Sequence, residues 1–82
     1  MSKIYVGNLA WATTDESLRD TFSQFGEIRS AIVMKDRDTG RSRGFGFVEF
    51  TAEEHANNAV AQTDGQDLDG RNVRVNIAQR RQ

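Results

Sequence analysis

The octapeptide Arg43-Gly44-Phe45-Gly46-Phe47-Val48-Glu49-Phe50 decides how this chain is read. Side chains of a strand point alternately to its two faces. Val48 and Phe50 then share a face with Gly46, while Phe45 and Phe47 share the other with Glu49. A glutamate marks a solvated face, so two phenyl rings stand in water beside it. Exposed rings on a strand cost solubility, and they are what unstacked nucleic-acid bases need for stacking. A strand buried on both faces is the plainer alternative, and the rest of the chain argues against it.

Upstream, Lys3-Ile4-Tyr5-Val6-Gly7-Asn8-Leu9 also alternates, with Ile4 and Val6 on one face and Tyr5 on the other, and ends at a turn-prone Gly-Asn pair. Thr14 is the expected N-cap of a helix, with Asp15 and Glu16 favouring its positive end. Leu18, Phe22 and Phe25 form one apolar stripe that Gly26 terminates. Residues 28–35 read as a second strand, Ala31 and Val33 inward, Ile32 and Met34 outward. A polar loop around Thr39-Gly40 leads into the octapeptide.

Downstream, Thr51-Ala52-Glu53-Glu54 has the spacing of a capping box. It predicts a second helix whose stripe of Ala52, Ala56, Ala59 and Val60 is small enough to lie close on a sheet, ending at Gly65. Asp69-Gly70 signals a tight turn, with Leu68 tucked inward before it. Residues 71–77 alternate as a last strand, Val73, Val75 and Ile77 inward against Arg74 and Asn76 outward. There is no repeat, linker or low-complexity segment.

The resulting order is β-α-β-β-α-β, and each helix offers one apolar stripe to one face of a sheet. Right-handed crossovers and a hairpin between the second and third strands predict an α+β, ferredoxin-like sandwich. Its four-stranded antiparallel sheet takes the order 4-1-3-2, with both helices on one face, in one domain spanning residues 1–82. Tyr5 then lies beside Phe45 and Phe47 on the open face, edged by Lys3, Arg43 and Arg74.

The formal charge of −1 and pI near 5.7 argue, taken alone, against a nucleic-acid partner. The average hides a segregation. Residues 14–27 carry a net −3 and residues 51–70 a net −5, whereas residues 28–50 carry +2 and residues 71–82 carry +4. The acidic blocks are the helical stretches, and the bases ride with the strands. One face of the domain should therefore attract phosphate while the other repels it. The chain has no cysteine, which excludes disulfides and thiolate metal sites. Its apolar stretches are too short for a membrane span or a signal peptide.

With these strands in place, the chain resembles an RNA recognition motif over nearly its whole length. Ile4-Tyr5-Val6-Gly7-Asn8-Leu9 is similar to that family's RNP2 hexamer, and residues 43–50 match its RNP1 octamer at every position. Three stretches further resemble the domain of glycine-rich and cold-inducible RNA-binding proteins. They are Leu9-Ala10-Trp11-Ala12-Thr13, the loop of residues 36–43, and Leu68-Asp69-Gly70-Arg71. Those proteins carry a Gly-rich tail after the domain, so this sequence, ending at Gln82 without one, is expected to be an excised domain or a minimal relative.

The resemblance implies a single-stranded RNA-binding module in post-transcriptional RNA handling. Tyr5 and Phe47 would each stack a base or sugar, with Phe45 completing the platform. Arg43 would pair with a backbone phosphate, Lys3 and Arg74 would edge the face, and Ile32 and Met34 would form an apolar flank. Asn76 and the main chain of Ile77, Ala78 and Gln79 would read base edges. The arm of Ala78, Gln79, Arg80 and Arg81 would settle over the bound strand. The expectation is a monomer in the nucleus or cytoplasm, with weaker binding of single-stranded DNA, no membrane and no cofactor. Ile32 and Met34 could instead form a patch for a protein partner.

Other residues carry a plainer reading. Trp11 could stack a terminal base or pack against the rim to close the first helix. His55 reads as a solvated surface residue. The Asp36-Arg37-Asp38 run suggests a calcium loop, but Gly40 occupies a ligand position and the bidentate Glu is missing. Gly44-Phe45-Gly46 lies in a strand and is no phosphate cradle. One helical histidine without cysteine offers neither a nucleophile–base pair nor a metal cluster, so a hydrolase or transferase is not expected. A protein-interaction domain on the same fold is the stronger rival, and three aromatic positions on the open face favour RNA over it.

Overall fold

In the computed structural model, which describes residues 2–78, β1 (Lys3–Gly7) occupies the middle of a four-stranded antiparallel sheet. It pairs with β3 (Ser42–Phe50) on one side and with β6 (Arg74–Ile77) on the other, while β2 (Ile28–Lys35) lies outside β3. The order β2-β3-β1-β6 is the one expected, with β6 as its fourth strand. Two helices, α1 (Asp15–Phe22) and α2 (Glu53–Thr63), pack on one face. Among the described residues no helix is long and apolar enough to cross a membrane.

The core lies between that face and the helices. Ile4, Val6, Val48, Phe50 and Val75 are fully buried there, joined by Val33 and by Leu18, Phe22, Ala56 and Ala59 from the helices. Each strand residue named belongs to the inward set of its alternation. The helices are also tied down through carboxylates. Asp15 Oδ1 accepts the Val33 N–H at 2.7 Å, and Asp64 Oδ1, just past α2, accepts the Val75 N–H at 2.9 Å.

Four local expectations need correction. The capping box forms at the first helix rather than the second. Thr14 Oγ1 accepts from Ser17 N, and Ser17 Oγ accepts from Thr14 N, so two otherwise orphaned donors are satisfied. At α2 the Thr51 N–H donates to the Glu27 carbonyl, which holds Thr51 at the strand end and moves the N-cap to Ala52, without a side-chain cap. The first apolar stripe likewise breaks at Phe22. Phe25 sits on a separate 3-10 turn, Ser23–Phe25, and still packs on the core, 6.1 Å from the Phe22 ring.

Residues 71–77 form two elements, not one strand. Val73 donates its N–H to Gln66 and accepts from Gly65, so its backbone pairs away from β1. Arg71–Asn72 (β5) then pairs with Asp67–Leu68 (β4) in a small hairpin around Asp69-Gly70, both at positive φ as a tight primed turn requires. His55, expected in solvent, is half-buried. Its ring lies against Gly26, where an added Cβ would collide with it, and its Nδ1 has no hydrogen-bond partner among the described residues.

Gly46 explains one letter of the octapeptide. A Cβ at this position would run into the Ile32 carbonyl oxygen and lie 3.1 Å from Val33 Cα, both backbone atoms of β2. The absence of a side chain is what lets β2 and β3 approach. Gly46→Ala should therefore destabilise the domain by about 1–3 kcal/mol, the usual cost of overpacking. Thermal unfolding checks this, at about 4–8 °C of Tm per kcal/mol for a domain this small. An unchanged Tm would mean that the strands part without cost.

Candidate nucleic-acid interface

The opposite face of the sheet carries rows of side chains set by the strand register. Tyr5 pairs with Phe47 on one side and Asn76 on the other, and Phe47 pairs with Ile32. Asn76, Tyr5, Phe47 and Ile32 thus form one continuous row across all four strands. In the next row Gly7 lies between Arg74 and Phe45, and in the row on the other side Lys3 faces Glu49. The side-chain alternation that buries Ile4, Val6 and Val48 delivers this row to the open face.

Gly7 shapes the platform. A Cβ there would fall 2.6–2.9 Å from the Tyr5 phenol ring, so the ring lies back along its own strand over the glycine. It thereby reaches both phenylalanines. Tyr5 lies 5.8 Å from Phe45 and 5.8 Å from Phe47, and the two phenyl rings are 6.1 Å apart in an edge-to-face arrangement. Such tilted and perpendicular contacts suit the ring quadrupoles. All three rings are half-buried, supported from below and beside while keeping a surface to solvent.

Cations frame the rings. Lys3 Nζ stands 5.0 Å from the Phe47 centroid, and the Arg43 guanidinium 5.9 Å from that of Phe45. Both lie within cation–π range, and both side chains are exposed, as is Arg74. Ile32 is 47% exposed and Met34 half-buried beyond it, so an apolar flank adjoins Phe47. The Ala78 N–H already donates to the Lys3 carbonyl at 2.8 Å, which leaves only its carbonyl for a ligand. Gln79 and Arg80 lie outside the described residues.

Several contacts of the rim were not legible beforehand. The Arg41 guanidinium sits 5.4 Å over the Trp11 ring. Asp69, read only as a turn residue, accepts from the Thr13 hydroxyl at 2.7 Å, and Asn8 bonds both the Asn72 carbonyl and the Arg71 guanidinium. The small hairpin therefore braces the loop that follows β1. Asp36 accepts the N–H groups of Asp38 and Thr39, closing a turn with its own carboxylate.

An open aromatic sheet face, backed by two helices and framed by bases, defines an RNA-binding module of the ferredoxin-like class. The sequence profile of the RNA recognition motif family matches residues 4–74, and the chain belongs to that family. It is 55% identical over 80 residues to the glycine-rich RNA-binding protein 4, mitochondrial, of Arabidopsis thaliana, covering 98% of this chain and 59% of that protein. The chain spans about half the length of the curated relatives it matches.

Among solved structures, RNA Binding Protein PG1 superposes with a TM-score of 0.93 at 43% identity, covering 100% of this chain and 99% of that one. The Rna15 RRM with bound RNA (GU) superposes with a TM-score of 0.86 at 29% identity, covering 96% and 84%. The ferredoxin-like fold and the family expected from residues 4–9 and 43–50 are both borne out.

Proposed function

We propose that residues 1–82 act as one domain that binds single-stranded RNA on the open sheet face, stacking bases on Tyr5 and Phe47. The observation that carries this reading is the cluster of three half-buried rings spaced 5.8–6.1 Å apart on the open sheet face and edged by the exposed Lys3, Arg43 and Arg74. Bases already splayed from a helix can lie on such rings, whereas a duplex must first be melted. Arg43 and Lys3 then neutralise phosphates, and the Asn76 amide reads a base edge beside Tyr5. Ile32 and Met34 give the strand an apolar margin. Gln79 and Arg80 extend the contact from the end of β6. Single-stranded DNA lacks the 2′-hydroxyl and should bind more weakly.

The role is recognition, not catalysis, by a monomer acting inside the cell in RNA processing. Its compartment is the nucleus or cytoplasm in this proposal, although the Arabidopsis relative is mitochondrial by name.

Amide shift mapping with short RNA tests the surface. Residues of 3–9, 43–50 and 74–81 should move most, and largest shifts over 14–25 or 52–62 would place the ligand on the helices instead. Salt dependence tests the balance of forces. Each phosphate neutralised on a single strand contributes about −0.7 to the slope of log K against log salt. With roughly two to four such contacts the slope should lie near about −1.5 to −3. A much steeper line would mean that charge outweighs stacking.

A further inference from the structure

Among the residues that the four strands turn to the open face, Glu49 is the only acid. It stands opposite Lys3 on β1 and Ser30 on β2, one row from Phe47. A carboxylate here sits on a surface proposed for a polyanion, so its presence calls for a reason. Lys3 does not neutralise it. The ammonium is drawn over the Phe47 ring, 5.0 Å from its centroid, and Glu49 has no ion pair or hydrogen bond among the described residues. The Glu49 side chain is half-buried, and the small, exposed Ser30 flanks it. An acceptor unused by the protein thus lies beside the stacking surface.

Its chemistry limits what it can take. An ionised carboxylate accepts hydrogen bonds and donates none, and it repels phosphate. Unstacked bases offer it N–H groups along their exposed edges. Successive residues on one face of a strand lie about 7 Å apart, so a base stacked on Phe47 can turn an edge toward Glu49. Guanine presents two parallel donors there, N1–H and the N2 amino group, which match the two carboxylate oxygens. Adenine and cytosine each present one amino group beside an acceptor nitrogen. Uracil presents a single N3–H between two carbonyl oxygens, and both of these repel the carboxylate. The RNP1 pattern specifies every position of the octapeptide except the one that Glu49 fills, so the platform itself does not require an acid.

We propose that Glu49 selects the base held beside Phe47, taking guanine in preference to uracil through a two-pronged pair with its carboxylate. The inference rests on the RNA-binding reading above and adds a choice of base to it. The Phe47 ring stacks any base, whereas the Glu49 carboxylate distinguishes their edges. A uracil in the same place leaves one carboxylate oxygen unpaired against a carbonyl, which is the kind of mismatch by which hydrogen-bonding sites reject a wrong partner.

Four labelled hexaribonucleotides test this, all uridine except for one internal position that carries G, A, C or U. Each is titrated into the 82-residue chain by fluorescence anisotropy. The parent should bind the G oligomer roughly ten-fold or more tightly than the all-U one, with A and C between them. Glu49→Gln keeps the shape but replaces one acceptor by a donor, so it should lose most of that ratio through weaker binding of the G oligomer. In proton NMR the guanine imino resonance should be protected in the parent complex and lost with Glu49→Gln. Equal binding of all four oligomers by the parent overturns the selection and leaves the platform standing. So does a uniform gain for Glu49→Gln across all four with the G-to-U ratio kept, the mark of a charge that only repels phosphate. Failure of all four to bind the parent overturns the RNA reading and the base choice with it. The amide spectrum of free Glu49→Gln serves as the folding control.

Discussion

Phe47→Ala is expected to weaken RNA binding roughly ten-fold or more while the domain stays folded. Base–aromatic stacking contributes about 1–3 kcal/mol per base on alanine substitution. Phe47 lies in the row Asn76-Tyr5-Phe47-Ile32, in contact with both other rings of the platform and under the Lys3 ammonium. Its removal takes away a stacking surface, a cation–π partner and a support for the Tyr5 ring together. Tyr5→Ala should act similarly. Since the rings brace one another, the double variant should lose less than the two single losses added. Titration of each variant, with far-ultraviolet circular dichroism as the folding control, decides the matter. Parent affinity in a folded Phe47→Ala protein would sink the stacking mechanism.

Phe50→Ala should do the reverse. Phe50 is three residues further along the same strand, on the other face, and fully buried among Leu18, Phe22, Ala56 and their neighbours. Truncating a buried phenylalanine costs about 3–5 kcal/mol, the lost transfer energy plus the cavity left behind. Whole domains are stable by only about 5–15 kcal/mol, and one of this size belongs near the bottom of that range. The variant should therefore be largely unfolded or close to it at ordinary temperature. Chemical denaturation measures the loss, and a shift below about 1 kcal/mol would mean that the core collapses around the gap. Two phenylalanines of one octapeptide are thus assigned opposite phenotypes by parity alone.

That parity is why so much was legible in advance. Alternation in residues 3–9 and 43–50 reports which side of a strand is buried, and the same side-chain physics decides both the core and the platform. The reading failed where the deciding interaction belongs to the backbone or to a distant segment. Val73 has the right side chain for a continuous last strand, but its peptide groups are engaged by Gly65 and Gln66. Thr51 has the right spacing for a cap, but Glu27 takes its N–H. His55 is polar and helical, yet it is half-buried with its ring against Gly26, a residue distant in sequence. The Arg41–Trp11 contact joins two loops whose lengths say nothing of their proximity. Local pattern carries burial well and long-range partnership poorly.

The place of β1 in the sheet has a consequence for how the chain comes to be folded during synthesis. The strand made first lies between β3 and β6, and β6 is the last element described. A nascent chain that has emerged only as far as α2 has no Val75 to cover the inner face beside Val6, and no second neighbour for the backbone of residues 4–7. Hydrophobic surface and an open strand edge then coexist, the combination that makes partial chains prone to aggregate. Closure waits for β6, across a sequence separation of about seventy residues, and such non-local pairing is intrinsically slow. A pause in translation after α2 would therefore prolong exposure of the chain to chaperones, whereas a pause after β6 would not.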